Sequence, residues 1–374
     1  MDPPKNDDPT RTVIARPGAP EATGEDDRAH YIVVVEGNAA GRRFEIGTEN
    51  LVIGRTEPAN IVIDDKLASR SHCKVGLLMG ELFVMDLNSS NGTYVAGKKV
   101  SKYIVMAGER FTVGKTVFEH EWRSRREVEA AQAIDTDLER AKKYVRSLLP
   151  IPLDAGPLRT DWVLQPSAKL GGDLFGYHFI DDRTFAIYLL DVTGHGTGAA
   201  MHAVSVMNVL RRRVVPGVDM KDPARAAMHL NEIFPMESHG GMLLSLWYGV
   251  FDLSSRTLAY TSAGHHASYV VDANDGATAL DISNVLIGMI PEYAYKSGTA
   301  DVPPGSTLYV FSDGVFEIEP SNGSEWDLEK FVSLLVEPPE AGKTESRRIL
   351  DAVKARTGRQ AFEDDFTLVV TALG

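Results

Sequence analysis

The sequence has a single cysteine, Cys73, in 374 residues. One thiol excludes an internal disulfide, a cysteine zinc cluster and a two-thiol redox motif, which fits a reducing compartment. The first 30 residues contain no apolar stretch of the kind that directs secretion, and no run of about 20 apolar residues occurs anywhere. We therefore expect a cytoplasmic protein that does not insert into a membrane.

Positive charge is also scarce. Lys and Arg number 39 against 52 Asp and Glu, a formal net charge of -13. Nucleic-acid binding needs a basic face, so this composition argues against a nucleic-acid partner. The hydrophobic fraction of 43% and the charged fraction of 24% are ordinary for a globular protein, and the length allows two or more domains.

Residues 1–28 are rich in Pro, Asp, Gly and Thr and poor in large apolar side chains, so we predict a disordered tail. Thr10 and Thr12 follow acidic residues there and are candidate phosphorylation sites; the alternative is a plain flexible tail. In residues 29–122, short β-branched and aromatic runs alternate with Gly, Asn and Asp turns. This pattern predicts an all-β sandwich domain.

A helix is predicted over residues 123–150. The stretch contains no glycine, and the proline at position 150 ends it. One apolar stripe runs along it with steps of 4, 3, 4 and 3: Ile134, Leu138, Ala141, Val145 and Leu148. Two interpretations stay open: the helix packs on its own domain, or it forms a short coiled coil that makes a homodimer.

Residues 151–374 mix strands and helices in a way that predicts an antiparallel α+β domain. A helix is expected to begin at Asp222, with Pro223 in its first turn. The expected organisation is a tail (1–28), a β-sandwich domain (29–122), a helical linker (123–150) and an α+β domain (151–374).

Polar residues of the β domain cluster where strands should turn, in Gly54-Arg55, in "SRSH" at positions 69–72 and in "DLNSSNGTYV" at positions 86–95. These loops supply a guanidinium, hydroxyls and amides, the donors that a phosphate group needs.

Together the three blocks resemble a forkhead-associated (FHA) domain, a family of β-sandwich modules that bind phosphothreonine peptides. The resemblance implies that Arg55, Ser69 and Arg70 hold the phosphate, and that Ser90 and Asn91 hold the peptide backbone. His72 and Gly92 are given structural roles. The implied partner is a phosphothreonine protein or a Ser/Thr kinase.

The last domain carries acidic residues at the ends of apolar strands: Asp191 after "FAIYLL", Asp313 after "LYVFS", and the pair Asp364 and Asp365 before "FTLVV". Carboxylates gathered without His or Cys suit Mg²⁺ or Mn²⁺. Hydrolysis of a phosphate monoester needs up to ~10²¹-fold acceleration. Since this part of the chain has no cysteine nucleophile, the metal-dependent route is the expected one.

Eight sequence blocks in residues 138–374 resemble the PPM-type serine/threonine phosphatases, in particular their SpoIIE-like branch. In chain order they are "LLP", "GGDLFG", "DVTGHGTGAA", "LSLWYGVFD", "SAGHHAS", "LIGMI", "SDGVFE" and "DDFTLVV". The resemblance implies a sandwich of two antiparallel sheets flanked by helices. The implied activity is metal-dependent dephosphorylation of phosphoserine or phosphothreonine proteins, often anti-sigma-factor antagonists.

Carried over residue by residue, the resemblance makes Asp191 a bridge between two Mn²⁺ or Mg²⁺ ions, one of which also takes the main-chain carbonyl of Val192. Asp313 and Asp364 complete the ligands of the second ion, and a water between the ions attacks phosphorus in line. Asp173 joins the site directly or through water. Asp365 is expected behind the ligands, and the adjacent His265 and His266 are interpreted as turn residues.

One block departs from the family pattern. "GGDLFG" has Gly176 where the family commonly has a second acid, as in GGDYYD. We expect an active enzyme, with a catalytically weak or inactive FHA adaptor as the alternative. A GGDEF-type nucleotide cyclase is excluded because Leu174 replaces the required glutamate.

Overall fold

The computed structural model describes residues 27–212, 215–274 and 276–374. They form two compact units, one ending at Asp135 and the other beginning at Thr136. The predictions for Thr10 and Thr12 lie outside the described residues. Within the described ranges, no helix has the length and apolar character needed to cross a bilayer.

The first unit is a sandwich of two sheets, with strand orders β2-β1-β11-β10-β7-β8 and β4-β3-β5-β6-β9. The pairing is antiparallel except between β3 and β4. The strands are β1 (Arg28–Glu36), β2 (Arg43–Ile46), β3 (Leu51–Gly54), β4 (Ile61–Val62), β5 (Cys73–Leu78), β6 (Glu81–Asp86), β7 (Thr93–Val95), β8 (Lys98–Val100), β9 (Lys102–Ile104), β10 (Arg110–Val113) and β11 (Thr116–Ser124).

The core of this unit lies between the two sheets. Ile32 and Val34, two residues apart on β1, are fully buried with Val84 of β6 and Phe118 of β11, as the period of two in a strand requires. Cys73 packs in the same cluster, and burial raises the pKa of its thiol, so it is a core residue rather than a nucleophile. The predicted all-β sandwich is confirmed.

Helix α1 (Arg125–Leu148) follows β11, and the boundary between the units falls within it. Val128 is buried against Ala29 and Tyr31, whereas Ile134 is 62% exposed. Farther along, Val145 and Leu148 pack against the core of the second unit. The apolar stripe read from the sequence is therefore exposed where it begins, at Ile134, and covered where it ends, at Val145 and Leu148.

The second unit contains two five-stranded antiparallel sheets, with orders β12-β21-β20-β17-β18 and β13-β14-β15-β16-β19. The strands are β12 (Leu158–Gln165), β13 (Leu174–Phe179), β14 (Thr184–Val192), β15 (Leu244–Asp252), β16 (Thr257–Ala263), β17 (Ser268–Val271), β18 (Ala277–Leu280), β19 (Gly298–Asp301), β20 (Ser306–Phe311) and β21 (Phe366–Leu373). The helices are α2 (Thr197–Leu210), α3 (Pro223–Ile233), α4 (Leu328–Leu335) and α5 (Glu345–Thr357).

Strand β20 shows how the layers are built. Leu308 and Val310 belong to the core between the sheets, and the alternate residues Tyr309 and Phe311 pack toward α4 and α5. On the other sheet, α2 and α3 contact β13 to β16. Both sheets are thus covered on two faces, and the predicted α+β sandwich flanked by helices is confirmed.

The helix ends follow from local chemistry. The Asp222 carboxylate accepts hydrogen bonds from the backbone N–H groups of Ala224 (3.0 Å) and Arg225 (3.3 Å), with Pro223 in the first turn. This is the predicted N-cap. Helix α5 ends at Gly358, whose φ of 71° is left-handed and favours glycine.

Candidate functional site

The acidic residues singled out in the sequence converge at one end of the second unit's two sheets. Asp191 lies near the end of β14, and Asp173 directly precedes β13 in the same sheet. From the other sheet come Asp313, which opens a 3-10 turn just after β20, and Asp364, just before β21. The four carboxylates predicted to be catalytic therefore lie together.

Burial and mutual repulsion mark this cluster electrostatically. Burial, followed by the charges of Asp313 and Asp364, raises the pKa of Asp191 to about 7. Burial and the Asp364 charge raise the pKa of Asp313 to about 6. Asp173 is 5% exposed, and burial together with the Asp191 charge raises its pKa well above the ordinary value. Such an arrangement is costly unless protons or cations offset the negative charge.

Asp365 organises the turn that carries Asp173. It is 4% exposed and accepts hydrogen bonds from Ser167 through the backbone N–H (2.8 Å) and the hydroxyl (3.0 Å). Its other oxygen accepts from the backbone N–H of Asp173 at 3.3 Å. Both carboxylate oxygens of Asp365 therefore hold the chain that leads into Asp173.

Two hydroxyl residues that the sequence analysis did not single out complete this arrangement. The hydroxyl of Thr367 donates to Asp173 Oδ2 at 2.6 Å. Ser312 donates to the main-chain oxygen of Asp365 at 2.9 Å and accepts from the backbone N–H of Thr367 at 3.1 Å. Ser312 directly precedes Asp313, and Thr367 follows Asp365 by two residues. These positions next to predicted acids could have identified both residues.

Glycine is required where the "GGD" turn passes the end of β14. A Cβ added to Gly172 would lie 2.6 Å from the carbonyl oxygen of Val192. The carbonyl of Val192 is therefore held close to the turn that precedes Asp173, and any side chain at position 172 would displace one of the two segments.

Beside the acids lies a cleft of about 330 Å³ that Asp191 and Asp313 line together with Thr193, Glu317, His265 and His266. The two histidines occupy a turn after β16, as interpreted from the sequence. The structure adds that both border the same cleft as the acids. Their interpretation as turn residues did not indicate this.

In the first unit, the five residues predicted to bind phosphothreonine line one open cleft of about 580 Å³: Arg55, Ser69, Arg70, Ser90 and Asn91. The Ser69 hydroxyl accepts a hydrogen bond from the backbone N–H of Ser90 at 3.0 Å, which joins two of the loops. Asn91 donates to the carbonyl of Leu67 at 2.7 Å. The loops are therefore fixed to each other before any ligand binds.

His72 braces this cleft from behind. Its ring is fully buried, Nδ1 accepts from the backbone N–H of Ser69 at 3.1 Å, and Nε2 donates to the carbonyl of Gly92 at 3.0 Å. Both nitrogens are satisfied by two different loops, which is the structural role expected for this residue. Gly92, with φ of 87°, occupies the left-handed region.

Comparison with known proteins identifies a family for each of the two units. The model of the family Stage II sporulation protein E (SpoIIE) matches residues 181–373, more than half of the chain. The chain belongs to the SpoIIE family. The FHA domain model matches residues 51–114. FHA domain-containing protein FhaB of Mycobacterium tuberculosis is 36% identical over 118 residues, which cover 30% of this chain and 76% of FhaB. The chain therefore also carries an FHA domain.

Relatives of the SpoIIE-family domain are more distant. Phosphoserine phosphatase RsbP of Bacillus subtilis is 26% identical over 182 residues, 48% of this chain, and the chain spans only 45% of RsbP. Phosphoserine phosphatase RsbU of the same organism is 26% identical over 251 residues, 64% of this chain and 70% of RsbU. The solved SiaA-PP2C domain of Pseudomonas aeruginosa has the same fold, with a TM-score of 0.56, 16% identity, and coverage of 66% of this chain and 99% of that domain.

The donor set of the SpoIIE-family domain fits divalent cations. Carboxylates from two sheets meet in a partly buried cleft, and their raised pKa values show that negative charge is crowded there. Oxygen-rich sites of this kind suit Mg²⁺ and Mn²⁺, which would offset the repulsion.

Gly176 lies on β13 opposite Tyr188 of β14. A Cβ at position 176 would come within 2.5 Å of the Tyr188 ring, which is fully buried. The space next to position 176 is thus filled by an aromatic side chain, and an acid there would be forced against it.

Proposed function

We propose that the protein is a metal-dependent phosphatase that removes phosphate from phosphoserine or phosphothreonine of a partner protein and uses its FHA domain to bind phosphothreonine. The observation that carries the proposal is the convergence of Asp173, Asp191, Asp313 and Asp364 at one end of the two sheets, with raised pKa values at three of them. The relatives RsbP and RsbU, described as phosphoserine phosphatases, support it.

In this proposal Asp191, the carbonyl of Val192, Asp313 and Asp364 would hold the divalent cations, either Mn²⁺ or Mg²⁺. Bound cations supply Lewis acidity toward phosphoryl oxygens and lower the pKa of water. Burial raises the pKa of Asp173 well above its ordinary value, and the hydrogen bond from Thr367 fixes the orientation of its carboxyl group. Asp173 would join the cation site directly or through a water molecule.

The FHA cleft would hold the partner. Arg55 and Arg70 supply guanidinium groups and Ser69 a hydroxyl to a phosphate, and Ser90 and Asn91 contact the peptide backbone. The phosphothreonine protein bound there is the substrate itself, a Ser/Thr kinase or another phosphoprotein. An anti-sigma-factor antagonist is the substrate class we favour.

Helix α1 would join two copies of the chain. Ile134 is 62% exposed at the start of its apolar stripe, and Tyr144 is 59% exposed. A short coiled coil would cover the open part of the stripe. Phosphorylated Thr10 or Thr12, outside the described residues, would be a further ligand for the FHA cleft of the same or a second chain.

The adaptor alternative receives no support from the acidic cluster, because each predicted ligand is retained. The decisive test is Mn²⁺-dependent hydrolysis of p-nitrophenyl phosphate by the full chain. We expect Asp191→Ala to lower kcat/KM by about 10²–10³-fold or more, since it removes the central charge-stabilising group.

Asp181→Ala is the matched control for this test. Asp181 lies in the same unit, but it is exposed and paired with Lys221 away from the cleft. Its loss should leave turnover unchanged. A parent protein that binds metal but shows no metal-dependent turnover would remove the phosphatase proposal and leave the adaptor.

A further inference from the structure

Ser245 lies directly across from Asp191 on the neighbouring strand. Strands β14 and β15 run antiparallel, and their register pairs these two residues. Opposite residues of an antiparallel pair project from the same face, with Cβ atoms roughly 4.5–5.5 Å apart. Both residues are half-buried, whereas their neighbours along each strand are fully buried: Leu190, Val192, Leu244 and Leu246. The two strands therefore turn the serine hydroxyl toward the same space as the Asp191 carboxylate.

That space is the acidic cleft. Ser245 lines it together with Asp191, Asp313 and Glu317. Within the described part of the chain, no lysine or arginine contributes to this lining. A phosphate group that enters the cleft therefore has only neutral side chains to donate hydrogen bonds to it.

The two histidines of the cleft do not supply such a donor. Nδ1 of His265 lies 3.0 Å from the carbonyl oxygen of His266, and Nδ1 of His266 lies 3.0 Å from that of Ala267. A carbonyl only accepts, so each Nδ1 carries the proton of its ring. Burial lowers the pKa of the two rings to about 3 and about 4, so both are neutral, and their Nε2 atoms are closed off from solvent. Neither ring offers an N–H to the cleft.

The hydroxyl of Thr193, which also lines the cleft, is already engaged. It donates to the carbonyl of Leu243 at 3.1 Å and accepts from the backbone N–H of the same residue at 3.1 Å. Its proton therefore holds the start of β15. The Ser245 hydroxyl, in contrast, has no hydrogen-bond partner among the residues that the structure describes, and its oxygen is open to the cleft.

A free hydroxyl beside Asp191 differs from the hydroxyls that brace the site. Thr367 donates to Asp173 at 2.6 Å, and a serine that served to orient Asp191 would likewise donate to its carboxylate. We propose that the Ser245 hydroxyl instead donates a hydrogen bond to a phosphoryl oxygen of the substrate. The inference rests on the proposed phosphatase function and deepens it by naming a residue that binds the reacting phosphate.

Ser245→Ala in the full chain tests the inference. With Mn²⁺ saturating, kcat/KM for p-nitrophenyl phosphate should fall about 10–100-fold, because a hydrogen bond to a charged phosphate is lost. The competitive inhibition constant of inorganic phosphate should rise by a similar factor, since this product offers the same oxygens. Mn²⁺ affinity, measured by calorimetry, should stay unchanged, because Ser245 contacts the substrate and not the acids.

Ser245→Thr and Ser245→Val form a matched pair, because the two new side chains have nearly the same shape and only one carries a hydroxyl. We expect Ser245→Thr to retain most of the parent's turnover and Ser245→Val to behave like Ser245→Ala. Both side chains are β-branched and suit a strand, so the comparison holds even where Ser245→Ala destabilises the fold. Ser254→Ala removes an exposed serine just past the far end of β15 and should change none of these values.

Equal kcat/KM and equal phosphate inhibition in Ser245→Val and Ser245→Thr would overturn the inference. A fall in Mn²⁺ affinity as large as the fall in turnover would also overturn it, since Ser245 would then act on Asp191 rather than on the substrate. Failure of the proposed function looks different: the folded parent would show no Mn²⁺-dependent turnover, or Asp191→Ala would be as active as the parent. That result would remove both proposals.

Discussion

The two candidate sites of this chain are proposed to meet the same chemical group, a phosphorylated side chain, with opposite electrostatics. The FHA cleft offers arginines, hydroxyls and amides on open loops, so it is ready to accept a phosphate. The cleft of the SpoIIE-family domain is built from crowded carboxylates, which repel a phosphate until cations intervene. Binding a phosphate needs only hydrogen-bond donors and positively charged side chains. Cleaving it in the acidic cleft needs cations that can bind there and leave.

The largest expected effect tests whether repulsion among the carboxylates of the acidic cleft destabilises the folded protein. A carboxyl whose folded pKa is raised contributes stability below the unfolded pKa and loses it as pH rises through the folded value. With chelator present, the parent should therefore lose stability between pH 5 and pH 8. For Asp191, with a pKa of about 7, the loss across this window is about 3 kcal/mol.

Asp191→Asn removes this titration, so urea unfolding of parent and variant at both pH values isolates it. The variant should lose less stability than the parent, and Mn²⁺ should restore the parent's stability at pH 8. Equal pH dependence in the two proteins would mean that Asp191 does not carry the crowded charge.

The next effect separates the two sites. Arg55→Ala removes a charge-assisted hydrogen bond worth about 1.5–3 kcal/mol. Affinity for a phosphothreonine peptide, measured by calorimetry, should fall roughly 10–150-fold, while hydrolysis of p-nitrophenyl phosphate stays unchanged. Arg110→Ala is the control, since that arginine is exposed and paired with Glu119. A loss of aryl phosphate turnover in Arg55→Ala would show that the two sites are coupled, and it would contradict the view that they act independently.

The smallest effect concerns Gly176, which stands where the family commonly has a second acid. Gly176→Asp forces a side chain against Tyr188, and we expect a destabilisation of about 1–3 kcal/mol with no gain in activity. Gly198→Asp, in the first turn of α2 with open space around it, should cost much less. Melting temperatures compare the two. A more active Gly176→Asp protein would show that the acid is needed after all.

Much of the fold was predictable because its signals are local. The strand runs with their turn residues indicated the β-sandwich, and the loops around Arg55, Ser69 and Asn91 indicated the FHA cleft. Acids at the ends of apolar strands indicated the second cleft, because such positions point out of rigid elements. The roles of these residues remain predictions.

Other features depend on neighbours that only the fold supplies. Gly176 meets Tyr188 through strand register, and His265 lines the same cleft as Asp313 because the two sheets pack together. Ser312 and Thr367 are ordinary in sequence, and they gain a role only because β20 and β21 pair and bring their hydroxyls to Asp365 and Asp173. The middle of α1 is open, and its sequence pattern alone does not identify what covers it.

The position of β21 has a consequence for how the acidic cleft comes into being. This strand lies between β12 and β20 and pairs with β12 across about two hundred residues of chain. Such distant pairing closes a long loop and is slow to form. Until it forms, Asp364 is not held beside Asp313. A chain that has assembled only the β13–β19 sheet therefore has just Asp173 and Asp191 of the four carboxylates in place. The complete set of carboxylates is thus present only after β21 has paired, and metal binding would report on that pairing.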